Sequence, residues 1–225
     1  MGNQISAFIF DLDGVITDTA EYHFEAWSAL AEEIGIEIDE EFNEQLKGVS
    51  RIESLQRILK HGRKENDFTM EEITDLAAKK NDHYKKLIAK ITPEDILPGI
   101  LDLLEDIKQA RIPIALGSAS KNAPFIIDQL KLYRYFDYIV DAGEVMNGKP
   151  HPETFLTAAD HLGVSYETCI GIEDAEAGVT AIKAAMMFAV GIGSKEILDE
   201  ADIIFPETKT LSFEKIKAAF YSANK

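Results

Sequence analysis

Asp11 and Asp13 stand one residue apart, directly after an apolar run that ends at Phe10, and Gly14 behind them lets the chain turn away. In that position Asp11 can serve as a nucleophile toward phosphorus and Asp13 as a proton carrier. Alone, Asp11-Leu12-Asp13-Gly14 also describes an ordinary turn or part of a calcium loop. Its company is more specific, because Ser118, Lys149 and Glu173-Asp174 recur later in the chain. A carboxylate displaces an alcohol from a phosphate ester only where its own charge and that of the phosphoryl oxygens are neutralised and the reacting atoms are held in line. Asp11 therefore needs a cation. Magnesium takes about six oxygens and keeps several waters, so Asp11, Asp174, the backbone carbonyl of Asp13 and a phosphoryl oxygen suffice. Glu173 either binds the metal directly or acts on it through hydrogen bonds. Lys149 and the Ser118 hydroxyl bind the remaining phosphoryl oxygens, and Asp13 reaches the leaving or attacking oxygen as general acid and base.

These residues need elements to bring them together. Ala7-Phe8-Ile9-Phe10 is a short unbroken apolar run, as expected of a strand covered on both faces. From about Ala20 the period changes: Phe24, Trp27, Leu30, Ala31 and Ile34 recur at helical spacing, with Asp18 or Thr19 as N-cap and Gly35 as the stop. Trp27 reads as core. Further helices are expected over roughly Asp39 to Leu46, Arg51 to Lys60 and Met70 to Ile91. Beyond Pro93 helices and strands alternate. Helices are expected at Ile100 to Ala110, Ala123 to Leu130, Glu153 to Leu162 and Ala177 to Ala185. Strands are expected at Ile112 to Leu116, Tyr138 to Val140, Cys169 to Ile172, Phe188 to Val190 and Ile203 to Phe205.

This pattern predicts an α/β fold, a Rossmann-like parallel sheet with helices on both faces and an inserted all-helical cap domain. Residues 1–17 and 92–225 make the discontinuous core and 18–91 the cap. Ligands bind such sheets at the carboxyl ends of the strands, near the topological switch point. Asp11 and Asp13, Ser118, Lys149, and Glu173-Asp174 all follow strands, so four distant clusters are expected to converge on one edge.

Composition bounds the partners. The chain has 225 residues, with 40 acidic and 23 basic residues and a net charge of -17. That balance repels polyanions, so nucleic acid and anionic membranes are not expected as partners. No apolar stretch approaches the roughly 20 residues of a membrane span, and the N-terminus lacks a signal-peptide pattern. A cytoplasmic monomer is expected. Cys169, in a predicted strand, reads as a packed thiol. His61, His83, His151 and His161 have no ligand partners at metal spacing.

Asp11-Leu12-Asp13-Gly14-Val15, Ser118, Lys149-Pro150 and Gly171-Ile172-Glu173-Asp174 resemble, in order, the four motifs of the haloacid dehalogenase superfamily. The likeness runs from Phe10 to Gly193. Asp11 to Trp27, Leu46 to Leu55 and Ser118-Ala119-Ser120-Lys121-Asn122 resemble its sugar phosphomutase branch in particular. The resemblance implies interconversion of β-glucose 1-phosphate and glucose 6-phosphate through β-glucose 1,6-bisphosphate, with Mg2+ as cofactor. It also implies that Arg51, in Lys47-Gly48-Val49-Ser50-Arg51, anchors the phosphate that is not reacting. Ser118, Ala119, Ser120, Lys121 and Asn122 complete that pocket, and Lys80 contacts the sugar. His23 couples substrate binding to closure beside a hinge at Thr19, and closure excludes the water that would hydrolyse the aspartyl phosphate.

Each assignment has a plainer rival: Arg51 as a solvated residue at a helix start, Lys80 as an exposed helix residue, His23 as a ring packed on Trp27. A phosphatase of the same fold acting on a small sugar phosphate and a binding protein without catalysis are the alternative functions. Gly178 is expected to allow close helix packing. Met186 departs from the family's glycine after the helix, which predicts either a changed helix end or a strained Met186 costing about 1 kcal/mol. His151, between Pro150 and Pro152, is a second departure.

Overall fold

Strand β1 (Ala7–Phe10) is buried along its whole length, which its unbroken apolar sequence requires. The chain is described by a computed structural model covering residues 4–46 and 49–223. After β1 come four helices, α1 (Ala20–Glu33), α2 (Glu40–Glu44), α3 (Arg51–His61) and α4 (Met70–Ile88). There follow α5 (Ile100–Gln109), β2 (Ile114–Leu116), α6 (Ala123–Gln129), β3 (Tyr138–Ile139), α7 (Glu153–Leu162), β4 (Cys169–Glu173), α8 (Glu176–Ala184), β5 (Phe188–Ile192), β6 (Ile203–Phe205) and α9 (Phe213–Ala223). Residues up to Asp18 and from Thr92 onward form one compact unit, and Thr19–Ile91 forms the other. Asp18 therefore groups with the core, one residue beyond the expected boundary.

In the core unit the described strands make one parallel sheet in the order β3-β2-β1-β4-β5-β6. The chain builds outward from β1 through β2 to β3, then returns to place β4 on the other side of β1. The switch point thus lies between β1 and β4. Phe10 is level with Leu116 on one side and Ile172 on the other. The Asp11 N–H donates to Ile172 O at 3.0 Å and the Gly117 N–H to Phe10 O at 2.7 Å, so the ladder holds the three strand ends level.

Ala7 and Ile9 face a core shared with α7 and α8, through Phe155, Ala158, Val179 and Ile182. On Phe8 lies Phe213 of α9, ring centroids 6.0 Å apart, and Phe220 meets Phe188 edge-on. Helix α9 goes beyond the expected elements, although Phe213, Ile216 and Phe220 stand at helical spacing and are all buried. Buried Cys169 has its thiol pushed up to about 12 by burial, which leaves it inert.

In the other unit α1, α3 and α4 pack around Trp27, Leu30, Leu55, Ile58 and Ile73. Helix α4 stops at Ile88, short of the expected Ile91, because the Lys90 and Ile91 N–H groups bond three residues back, in tight turns. Thr19 is the N-cap of α1 but makes no side-chain cap bond; its hydroxyl pairs with the Tyr84 hydroxyl at 2.9 Å instead. No helix among the described residues is long and apolar enough to cross a membrane.

Helix α8 ends as a glycine-terminated helix would. Met186 has φ +60, and the N–H groups of Met186 and Met187 close on Lys183 O and Ile182 O. Of the two expected outcomes the helix end is unchanged and the strain falls on Met186.

Candidate active site

The ends of β1 and β4 carry Asp11 and Glu173, and the loop after β3 delivers Lys149 between them. Lys149 Nζ donates to Asp11 Oδ1 at 2.5 Å and to Glu173 Oε1 at 2.6 Å. The lysine is 1% exposed, with its ammonium 5.2 Å from the centroid of the Phe155 ring. Lys149-Pro150 is a cis peptide. The second Glu173 oxygen accepts the N–H groups of Asp174 and Ala175 at 2.7 and 2.9 Å. Burial pushes the Asp11 carboxyl up to about 7, aided by Glu173 and Asp13 and opposed by Lys149. Burial alone lowers a lysine, but the two carboxylates outweigh it and hold Lys149 firmly protonated.

Two glycines make room for this arrangement. A Cβ on Gly14, whose φ is +72, would lie 2.0 Å from Asp174 Oδ2. A Cβ on Gly178 would lie 1.9 Å from Glu173 Oε1, so Gly178 admits a carboxylate where close helix packing is the expectation. Asp13 is half-buried and near enough to Asp11 to raise its pKa.

Carboxylate oxygens of Asp11, Glu173 and Asp174 all lie within 4.8 Å of one another. Three hard oxygen donors fit a divalent cation, with Gly14 leaving space for that of Asp174.

At the end of β2, Ser118 is buried and its Oγ accepts the Ser120 N–H at 3.1 Å; Ser120 Oγ accepts the Asn122 N–H at 3.2 Å. Ala119 and Ser120 are half-buried, Asn122 is buried and Lys121 is exposed. The loop is thereby folded on its own hydroxyls into the start of α6.

Within the helical unit Lys80 is 3% exposed, far from the solvated residue of the plainer rival. Its ammonium lies 2.8 Å from His23 Nδ1 and stands 4.5 and 4.7 Å from the ring centroids of Trp27 and Tyr84. The His23 ring packs on Tyr84 at 4.1 Å, and Lys80 occupies the face of Trp27. Half-buried Arg51 opens α3, after Ser50 caps it, and feels the charge of Asp82. Lys47 and Gly48 lie outside the described residues. Tyr84 goes unmarked in the sequence, although it lies one turn beyond Lys80 at helical spacing.

Residues 5–185 match the model of haloacid dehalogenase-like hydrolases. The chain is 51% identical to the beta-phosphoglucomutase of Bacillus subtilis over 210 residues, 93% of each chain. It superposes on a crystal structure of beta-phosphoglucomutase from Clostridium difficile with a TM-score of 0.96 at 52% identity, over 98% of this chain and 99% of that one. A fructose-1-phosphate phosphatase of Escherichia coli is 31% identical, over 85% of this chain and 98% of its own.

Proposed function

The chain belongs to the haloacid dehalogenase-like hydrolase family, and from that premise we propose that it interconverts β-glucose 1-phosphate and glucose 6-phosphate through β-glucose 1,6-bisphosphate. What carries the reading is that the likeness to the Bacillus subtilis phosphomutase extends over core and helical insertion alike.

Asp11 is the nucleophile. Its carboxylate oxygen forms a bond to phosphorus while the bond from phosphorus to the sugar oxygen breaks. With Asp11 so phosphorylated, its phosphoryl group passes to the 6-hydroxyl of β-glucose 1-phosphate while Asp13 takes that hydroxyl's proton, giving the bisphosphate. Once the bisphosphate has turned round, Asp11 attacks the phosphorus at C1 and Asp13 gives the proton to the leaving C1 oxygen, releasing glucose 6-phosphate. Lys149 supports both stages by neutralising the charge that Asp11 and the phosphoryl oxygens bring together, and the Ser118 hydroxyl binds a further oxygen. Asp11, Asp174 and the carbonyl of Asp13 would hold Mg2+, which supplies Lewis-acid neutralisation of the phosphoryl charge. Glu173, whose oxygens accept from Lys149 and from the Asp174 and Ala175 N–H groups, would either join them or support them through those hydrogen bonds.

Arg51 is assigned to the phosphate that is not reacting, by a paired hydrogen bond. Lys80 is assigned to the sugar and His23 to coupling substrate binding to closure, with Ala119, Ser120, Lys121 and Asn122 lining the phosphate pocket. Thr17, Asp18 and Thr19 are assigned as the hinge. Its core side is fastened: Thr17 Oγ1 donates to Asp95 O at 2.8 Å and the Leu97 N–H to Ile16 O at 3.0 Å. The net charge of -17 supports a monomer without nucleic-acid or anionic-membrane partners.

The second reading is a sugar-phosphate phosphatase, favoured by the Escherichia coli relative. Incubation with Mg2+, β-glucose 1-phosphate and a trace of bisphosphate separates the two. Glucose 6-phosphate is expected, and free phosphate in its place overturns the mutase. Asp11→Asn is expected to abolish turnover, which a protein acting only by binding would not possess.

A further inference from the structure

Lys149 sits on a loop with no regular structure to hold it, yet its ammonium meets two carboxylates within 2.6 Å. What fastens the loop lies four residues on. One Glu153 oxygen accepts the Met146 N–H at 2.6 Å. The other accepts the Asn147 N–H at 3.0 Å and the Asn147 side-chain amide at 2.7 Å. The Glu153 N–H in turn donates to His151 Nδ1 at 3.3 Å. Three donors on one carboxylate tie the residues just before Lys149 to the first turn of α7, while His151 ties the residues just after it.

We propose that Glu153 is a positioning residue for Lys149, setting where the ammonium stands relative to Asp11. An acidic residue in the first turn of a helix is ordinarily explained by the helix dipole. Here the carboxylate reaches back to the preceding loop, and the loop's N–H groups, rather than those of α7, take up its oxygens. Burial of Lys149 makes the position matter, since a displaced ammonium leaves Asp11 and Glu173 facing each other uncompensated. The inference rests on the role given above to Lys149 in phosphoryl transfer.

A double-mutant cycle on the full chain tests it. The readout is kcat for whichever product the wild type forms, glucose 6-phosphate or free phosphate. A wrong substrate reading then shows in the wild type's product, not in the ratios among variants. Glu153→Ala is expected to lower kcat about 10²-fold, the cost of misplacing a group by about an ångström. In a Lys149→Met background the same change is expected to alter kcat by no more than about twofold. Glu153→Asp, which keeps the acceptors, is expected to recover part of the loss. Where Glu153→Ala does not fold, Glu153→Gln carries the same cycle. Equal losses in both backgrounds, or an unchanged kcat beside a crippled Lys149→Met, overturn the proposal.

Discussion

Lys80 Nζ stands 2.8 Å from His23 Nδ1, a pairing of two bases in which an ammonium can only donate. Nδ1 therefore accepts, and the ring proton sits on Nε2. Burial first, then the charges of Lys80 and Arg51, hold His23 well below its usual 6.5. In the unfolded chain the ring takes up a proton near 6.5 and in the folded chain it does not. Stability from this site is thus present above pH 6.5 and lost as pH falls below it, by at most about 1.4 kcal/mol per pH unit. Urea unfolding from pH 7.5 to 5 checks this against His23→Asn, which keeps an acceptor without titrating. The wild type is expected to lose stability relative to the variant as pH falls. Parallel curves would contradict a neutral His23.

Removing the positive charge from between Asp11 and Glu173 has two expected effects. Lys149→Met lowers kcat by about 10²–10³, as for loss of one preorganised donor to the reacting oxygens. Without metal it also lowers stability at pH 7 by about 3 kcal/mol, because the carboxylates remain buried unpaired. Asp11 already stands near 7 when folded, against 3.8 when unfolded. Without Lys149 the folded chain holds that proton more strongly still. The stability deficit should therefore narrow as pH falls from about 9 toward 7 and then level off, because below about 7 Asp11 is protonated in both folded proteins; a deficit constant across that upper range would contradict the pairing.

Gly14→Ala should act on the metal more than on the fold. The added Cβ falls 2.0 Å from Asp174 Oδ2, so that carboxylate must swing away, while the turn's positive φ adds about 1 kcal/mol of strain. Half-maximal activation is expected to need about 10–100 times more Mg2+, the range seen when groups supporting a metal ligand are lost. An unchanged activation curve would remove Asp174 from the metal site.

Much of this architecture is legible in the sequence because each strand is an apolar run closed by a polar turn, and a parallel sheet needs such runs. The same punctuation placed Asp11, Lys149 and Asp174 on one edge. What escapes the sequence is pairing between side chains that only the tertiary fold brings together. Thr19 reads as a cap, but its hydroxyl goes to Tyr84, 65 residues away. Gly178 reads as a helix contact and instead clears space for Glu173. Glu153 reads as a helix-start residue, and nothing in its spacing reveals three donors from the preceding loop. Helix α9 is different, since Phe213, Ile216 and Phe220 carry the helical period openly.

Met186 offers the converse prediction, a stabilising change away from the chemistry. Its φ of +60 is held by the helix end, where Met187 N–H bonds to Ile182 O at 3.1 Å, and its side chain is 60% exposed. The methionine pays for a left-handed backbone with little burial in return. Met186→Gly removes the Cβ clash, worth about 1 kcal/mol, although glycine's greater freedom in the unfolded chain returns part of that gain. For a chain of this size a net gain of about 0.5 kcal/mol raises Tm by about 1–2 °C. Met186→Ala keeps the Cβ and should leave Tm close to that of the wild type, so the pair separates backbone strain from loss of side-chain contacts. Turnover should be the same in all three proteins, and a Tm that falls in Met186→Gly would show that the methionine side chain contributes more than its backbone costs.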